Sequence, residues 1–366
     1  GGRVLLVQPN RPGPVKWLSM SRYAAGLALA LQPDCSVQTV AATSINMPRP
    51  LRSFFGRYRN LEPLPRRWPD PPGIVHFTDV FLAPHAERFD CPRVTTLHDM
   101  IPMLDSRVRQ LVSLRWRVEF LRSLNSVVNS HAIIVPSQAT KDAYLSRRDD
   151  DPERIHVAPV VVPGDIVPPA PEHARDGRTV LVIGTIAPYK NVPVLLHALA
   201  QPELRGVNVI RVGEPFSPEY ARLAERLRVA GRIEHRSGVS NAELLDLFHR
   251  ATVLAQPSLT EGFGMPVAEA MAAGLPVVTS DGGALPEVAG TAGRVVRFRT
   301  HSEGKPDIDD ARDFARALAE VIDDADARQR MSRDGIEQAA RFRPGAVRPL
   351  LLAAYAHAKA RSRRVR

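Results

Sequence analysis

Residues 258–274 read SLTEGFGMPVAEAMAAG, a stretch that sets two carboxylates, Glu261 and Glu269, around a short glycine-rich turn. Its opening residues close a strand, Thr260 to Gly264 make a loop, and Pro266 to Ala273 begin a helix. The proline falls in the first helical turn, where a missing N–H costs least. The free N–H groups and positive dipole end of that helix suit an anion, and the small residues of the turn let a ligand approach the backbone of Gly262, Phe263 and Gly264. Glu269 lies about one turn inside the helix, where its carboxylate can reach back toward the same ligand. A carboxylate beside a phosphate site more naturally accepts hydrogen bonds from neutral hydroxyls, as acidic residues do with ribose in dinucleotide folds. Phosphate, ribose and polyol together point to a sugar nucleotide. Taken alone, the segment also fits an amphipathic helix with an exposed acidic turn.

The 366 residues exceed one ordinary core, which predicts two domains. No run approaches the roughly 18 apolar residues of a membrane span, so a cytoplasmic location is expected. Cys35 and Cys91 lack metal-ligand spacing and read as small buried or half-exposed thiols. The net charge of +10 attracts anions. Because lysine occurs only at 16, 141, 190, 305 and 359, arginine supplies most of that charge, a skew that reads as genome composition. Zinc-finger spacing, basic-aromatic platforms and helix-turn-helix patterns are all missing from the sequence, which argues against a nucleic-acid partner.

Two α/β halves follow from the alternation of apolar runs and helical periods. Arg3–Gln8, Gly73–Phe77, Arg93–Leu97 and Ala132–Pro136 are predicted strands of the first half, with Tyr23–Leu31 helical. Val160–Gly177, crowded with proline and glycine, reads as the linker. Thr179–Ile183, Val207–Val212, Ile233–Arg236, Thr252–Gln256 and Pro276–Thr279 form the second series. Just after its first strand stands GTIAPYKN, residues 184–191, where Lys190 offers a compact cation at the kind of loop that binds ligands in doubly wound sheets. The plain alternative is a solvated turn lysine. In the first half, TTLHDMIP at 95–102 ends a strand. There His98 reads either as a hydrogen-bonded core histidine or as a site residue, and Asp99 as its orienting partner or a turn cap.

The 258–274 stretch resembles the E-x7-E motif of the retaining glycosyltransferases with the GT-B fold, the large group called family 4. Its continuation PVVTSDGGALPEVAGTAG, through Gly293, is similar to that family's next strand and turn. GTIAPYKN resembles the family's G-T-x-x-P-R-K-N, TTLHDMIP its T-x-H-D motif, and IEHRSGVSNAELLDLF at 233–248 its strand, G-x-V-S turn and helix. VPSQATK at 135–141 and SRYAAGLALAL at 21–31 are similar to further amino-domain markers. The resemblance spans most of the chain and is densest from Val180 to Gly293.

The resemblance implies an α/β chain of the GT-B fold, two Rossmann-like domains with parallel sheets facing a central cleft. The expected boundaries are 1–163 for the acceptor domain, 164–344 for the sugar-nucleotide domain, and 345–366 for a helix crossing back to the first domain. It implies a hexosyltransferase that retains anomeric configuration, with mannose from GDP-mannose as the first donor. The acceptor would be a glycan, a lipid-linked species or a small molecule. Glu261 would hold the sugar, Lys190 the leaving diphosphate, and His98 would face the reacting centre. Glu269 would fix the ribose, and Gly262, Phe263, Gly264, Met265, Pro266, Thr185 and Val239 would complete the donor site. No metal and no cofactor are expected, since a helix end and a lysine stabilise the diphosphate.

Two departures from the pattern matter. Tyr189 and Thr185 stand where other members place arginines, so Arg211 or Arg236 is a candidate to compensate. The family's first-helix glycine pair is also missing, and Ser19, Ser21 or Gly13 occupies that region. The run Asp149–Asp151 evokes a metal-binding D-x-D but reads as a solvated loop. Asp105–Val128, decorated by Arg107, Arg109, Arg115, Arg117 and Arg122 around Trp116 and Phe120, reads as a domain helix with a solvated basic face. Its alternative is a peripheral contact with an anionic membrane. Ile45–Asp70 reads as an acceptor loop. Two other functions keep the same architecture: a sugar-nucleotide 2-epimerase, and a non-catalytic sugar-nucleotide-binding paralogue.

Overall fold

A computed structural model describes residues 2–10, 18–43, 72–104, 114–170, 177–299 and 308–364. The expected acceptor loop, Gly13, Arg107 and Arg109 lie outside these residues, as do the side chains of Ser19, Arg115 and Trp116. The chain divides into two compact units, Gly1–Val161 with Pro344–Arg366, and Val162–Arg343.

In the first unit six parallel strands stand in the order β2-β1-β3-β4-β5-β6. They are β1 (Arg3–Asn10), β2 (Ser36–Thr43), β3 (Ile74–Phe77), β4 (Arg93–Thr96), β5 (Ala132–Val135) and β6 (Ile155–Val157). Helices cover both faces of a parallel sheet, and the inner strands β3 and β5 are buried along their whole length. Across this sheet runs the Pro344–Arg364 helix, which packs on β4, β5, β6 and the Leu18–Leu31 helix.

That helix meets a buried polar chain. His76 on β3 hydrogen-bonds Tyr355 Oη through Nδ1 and Thr96 Oγ1 through Nε2, each at 2.8 Å, and Tyr23 Oη reaches the same Thr96 hydroxyl at 2.9 Å. Each of these groups is removed from water, so each needs the others. Burial, helped by the neighbouring His98, lowers the His76 pKa to about 3.

The second unit has six parallel strands in the order β12-β11-β10-β7-β8-β9. They are β7 (Thr179–Ile183), β8 (Asn208–Val212), β9 (Ile233–Arg236), β10 (Val253–Gln256), β11 (Val277–Ser280) and β12 (Arg294–Val296). Its core joins these strands to the Val192–Leu199 and Ile308–Asp323 helices through Val180, Leu195, Val209, Phe314 and Leu318. In sequence order within the unit the strands run 6-5-4-1-2-3, the doubly wound Rossmann arrangement.

Each predicted strand is present, to within two residues at either end. Three more, β2, β6 and β12, were not predicted, and each is an edge strand. The described side chains of β2 are exposed or half-buried, while β6 and β12 have three residues each, so none shows the apolar run that marks an inner strand. Asp149–Asp151 is a loop, as predicted, with Asp149 exposed, but its other two carboxylates are engaged. Asp150 accepts from Arg154 at 2.9 Å and from Tyr144 Oη at 2.6 Å, and Asp151 caps Glu153 and pairs with Arg361 at 2.6 Å. Among the described residues no helix is long and apolar enough to cross a membrane.

The buried histidine makes stability depend on acid. An unfolded histidine takes up a proton near pH 6.5, whereas His76 in the fold resists it until about 3. The stability it contributes is therefore complete above the unfolded value and is lost as pH falls from there toward the folded one. The melting temperature of the wild type is expected to fall more steeply than that of His76→Asn between these limits. Parallel curves would contradict the buried neutral state.

Candidate functional site

The order of the second sheet reverses between β7 and β10, the position at which open α/β sheets bind ligands beyond the carboxyl ends of their strands. Two loops leave the sheet there, residues 184–191 after β7 and 257–264 after β10. They are tied together by the Leu259 N–H, which donates to Tyr189 O at 2.7 Å. A 3₁₀ turn, Pro188–Lys190, ends at Asn191 in the left-handed conformation (φ 53°), and the Val192–Leu199 helix starts from it.

Across the junction Lys190 Nζ meets Glu261 Oε1 at 2.6 Å, with the side chains only 16% and 10% exposed. Ser258 Oγ and Gln256 Nε2 donate to the same carboxylate oxygen, at 2.7 and 2.8 Å. Three donors on one oxygen fix the carboxylate in position and offset the loss of water around it. Sequence reasoning brought out Lys190 and Glu261 but missed Gln256 and Ser258. The available signal was Gln256 itself, a buried polar residue closing the otherwise apolar strand VLAQ.

A third loop clamps this arrangement from behind. Ala284 N–H donates to Glu261 O at 3.0 Å, and Ser280 Oγ donates to Ser258 O. The backbones approach so closely that a Cβ on Gly282 would lie 2.3 Å from Ser258 O, and one on Gly283, where φ is +62°, 2.4 Å from Glu261 O. The DGGA segment is thus the counter-mould of the TEGFG loop.

The helix that follows runs Met265–Ala272, one residue earlier than predicted, with Pro266 in its first turn and Gly264 as N-cap at φ 100°. Gly262, Met265 and Pro266 are half-buried at its amino end. Phe263 turns its ring inward against Phe342, edge to face at 5.3 Å, which leaves its backbone as the part a ligand can meet. Glu269 is 3% exposed, inside the helix rather than on its rim. Thr185 is half-buried, and its hydroxyl accepts the Ala187 N–H at 3.3 Å. Val239 sits in the turn after β9, next to the Ser240–Glu243 capping box that starts the Asn241–Arg250 helix.

Of the candidate compensating arginines, Arg211 lies beside the 184–191 loop with its guanidinium bonded to backbone, and Arg236 is paired on the surface. Arg211, 1% exposed, donates to the carbonyls of Gly184, at 3.0 Å, and Glu214, and lies 5.0 Å from the Phe216 ring centre. Arg236 pairs with Glu234 at 2.7 Å on the surface. Lys190 pairs with the Glu261 carboxylate at the junction, while Arg211 braces the loop that carries it.

In the first unit His98 follows β4. Its Nε2 donates to Thr78 O at 2.7 Å, and its ring meets Tyr23 edge to face at 4.6 Å. Burial lowers its pKa, with the Asp79 charge and the Thr78 carbonyl acting in the opposite direction. Of the two readings of Asp99, the structure shows the turn cap, since Oδ1 accepts the Ile101 N–H at 3.0 Å. The groups that orient His98 are thus Thr78 and Tyr23, neither of which adjoins it in sequence. Ser21 is exposed on the Leu18–Leu31 helix.

Comparison with known proteins accords with this geometry. The Glycosyltransferase Family 4 model matches residues 20–163 and the Glycosyl transferases group 1 model residues 166–338. Over 223 residues the chain is 31% identical to the MMP alpha-(1->4)-mannosyltransferase of Mycolicibacterium hassiacum, covering 58% of this chain and 54% of that one. Over 258 residues it is 31% identical to the D-inositol 3-phosphate glycosyltransferase of Corynebacterium efficiens, covering 63% and 58%. The chain thus spans about half the length of the curated relatives it matches.

Among solved structures, sucrose-phosphate synthase from Thermosynechococcus elongatus superposes with a TM-score of 0.74 at 16% identity, covering 97% of this chain and 98% of that one. Anabaena Alr3699/HepE in complex with UDP and glucose superposes with a TM-score of 0.71 at 17% identity, covering 96% and 98%. At these identities the likeness concerns the fold.

The clamp behind Glu261 is open to test. Gly282→Ala places a methyl group against backbone and is expected to cost about 1–3 kcal/mol and to lower the melting temperature. Gly164→Ala, with nothing among the described residues within 4 Å of the added atom, serves as control. Equal melting of the two variants would contradict the clamp.

Proposed function

Since the chain belongs to the family 4 type of glycosyltransferases with the GT-B fold, we propose that it transfers a hexose from a nucleoside-diphosphate sugar to a glycan, lipid-linked or small-molecule acceptor. The observation that carries this reading is the Lys190–Glu261 pair, held at the switch point of a Rossmann sheet beside the amino end of the Met265–Ala272 helix. An anion and a hydroxyl-bearing ligand are the two chemistries such a pair serves. A diphosphate at the helix terminus draws Lys190, and the carboxylate of Glu261 accepts hydrogen bonds from the sugar.

In this reading transfer retains anomeric configuration. The bond from the anomeric carbon to the diphosphate oxygen breaks as the bond to the acceptor oxygen forms on the same face, and the acceptor proton passes to the departing phosphate oxygen. Lys190 and the helix terminus stabilise charge that grows on the diphosphate, and no metal is called for. Glu269 would receive the ribose hydroxyls and Val239 the base. Mannose from GDP-mannose is the first donor, supported by the likeness to a named mannosyltransferase, whereas the structure bound to UDP and glucose favours trying uridine donors beside it. The 2-epimerase alternative finds no support among relatives named as transferases. Leu114, 70% exposed, and Val118, 41% exposed, lie one turn apart on the arginine-bearing Leu114–Ser126 helix and support the peripheral membrane contact as part of the proposal.

Purified protein incubated with GDP- and UDP-hexoses is expected to release nucleoside diphosphate from one of them and to transfer its sugar to an added acceptor. Release from none would contradict the proposal. Lys190→Ala should lower kcat by more than it weakens donor binding, because the diphosphate charge grows in the transition state. Wild-type turnover in that variant would remove Lys190 from the chemistry. His98→Ala should nearly abolish transfer with nucleotide affinity unchanged, and preserved activity per folded molecule would assign this histidine to structure alone.

A further inference from the structure

Two buried side chains at the candidate site have no part in the reading above. Gln256, at the end of β10, is 2% exposed, and Ser258, two residues on, is fully buried. Gln256 Nε2 donates to Ser258 Oγ at 2.9 Å and to Glu261 Oε1 at 2.8 Å, and Ser258 Oγ in turn donates to Glu261 Oε1 at 2.7 Å. The three groups close a ring of hydrogen bonds whose acceptor end is a single carboxylate oxygen.

The direction of these bonds has a cost elsewhere. With its NH2 group turned to the carboxylate, Gln256 is left with Oε1 buried and without a partner among the described residues. Gln256 also lines a cavity of about 20 Å³ together with Gly184, Thr185, Lys190 and Arg211, room for one water molecule. A reversed amide would set oxygen against the Glu261 carboxylate, so the negative charge of Glu261 dictates the orientation. An apolar side chain of the same length would fill this position with no orphaned acceptor. A glutamine whose NH2 group is committed to Ser258 and Glu261 acts on Glu261.

All the hydrogen bonds that Glu261 accepts from described side chains fall on Oε1, and none reaches Oε2. We infer that Gln256 and Ser258 are positioning residues that occupy Oε1 and present Oε2 to the hydroxyls of the donor sugar. They would also keep the carboxylate in place when Lys190 turns from Glu261 to the diphosphate. This inference rests on the proposed role of Glu261 as the sugar-binding carboxylate. It predicts which part of the donor senses these residues: the hexose does, and the nucleotide does not.

The test compares Gln256→Met, Ser258→Ala and Gln256→Glu with Glu261→Gln and the wild type. The probes are GDP-mannose and GDP, with UDP-glucose and UDP in parallel. Loss of one donor to a charged group should lower kcat/KM for the sugar nucleotide by about ten- to a hundredfold in Gln256→Met and Ser258→Ala. Calorimetric affinity for the nucleoside diphosphate should be unchanged, which also reports that the variants are folded. Gln256→Glu supplies a second readout. Two adjoining carboxylates share one proton with a raised pKa, so its activity relative to wild type should decline as pH rises, whereas Gln256→Met should show no such trend.

If Glu261→Gln loses the sugar-specific effect and the Gln256 and Ser258 variants do not, the positioning inference is overturned and the reading of Glu261 stands. If Glu261→Gln binds and turns over the sugar nucleotide like wild type, the reading of Glu261 itself fails. A loss of nucleoside diphosphate affinity equal to the loss in kcat/KM would mark Gln256 and Ser258 as structural and overturn the inference.

Discussion

The ion pair between Lys190 and Glu261 is the interaction on which the second unit's candidate site depends. It joins the loops of two strands that are neighbours in the sheet, through residues 71 positions apart in the chain. Both side chains are largely withdrawn from water, so removing either partner would leave a poorly hydrated charge, a loss of about 3–5 kcal/mol when such a pair is fully buried. A charge pair of this kind is weak as a source of stability against an apolar replacement. Under the proposed function its place at the sheet's switch point serves ligand binding, in which the cation and the carboxylate would each exchange the other for a group of the donor.

The surrounding backbone explains why the pair is held so closely. Gly282 and Gly283 allow the loop after β11 to lie directly on the peptide groups of Ser258 and Glu261, and Arg211 braces the carbonyl of Gly184 from beneath the other loop. In the first unit the same economy appears around His98. Its ring is oriented by the Thr78 carbonyl and Tyr23, and Tyr23 belongs to the buried chain that runs through Thr96 and His76 to Tyr355. His98, just beyond an inner strand, is thereby linked to the carboxyl-terminal helix through a ring contact with Tyr23 and the buried hydrogen bonds that run from Tyr23 through Thr96 and His76 to Tyr355.

The legible parts of this structure are those encoded locally. Inner strands such as TVLVI and VLAQ announce themselves because a parallel sheet covered on both faces demands continuous apolar side chains. The edge strands β2, β6 and β12 do not, because one flank of each is free and their residues need not be buried. Glu261 and Lys190 could be picked out since a glycine-rich turn before a helix and a lysine after a first strand each carry a local chemical meaning. The roles of Gln256, Ser258, Thr78 and Arg211 come from partners brought near by the fold, and nothing beside them in sequence declares it. The structural part of Asp150 is hidden for the same reason: its partner Tyr144 lies on the preceding helix, and its other partner Arg154 is buried against the Val127 and Ser130 carbonyls.

Amide hydrogen exchange with and without a nucleoside-diphosphate hexose tests the central claim most directly, since it locates the ligand on the chain. The account predicts that GDP-mannose or UDP-glucose slows exchange in residues 184–191 and 260–266 together, the two loops joined by the Lys190–Glu261 pair. Protection confined to other segments, with both of these loops exchanging as in the free protein, would contradict it.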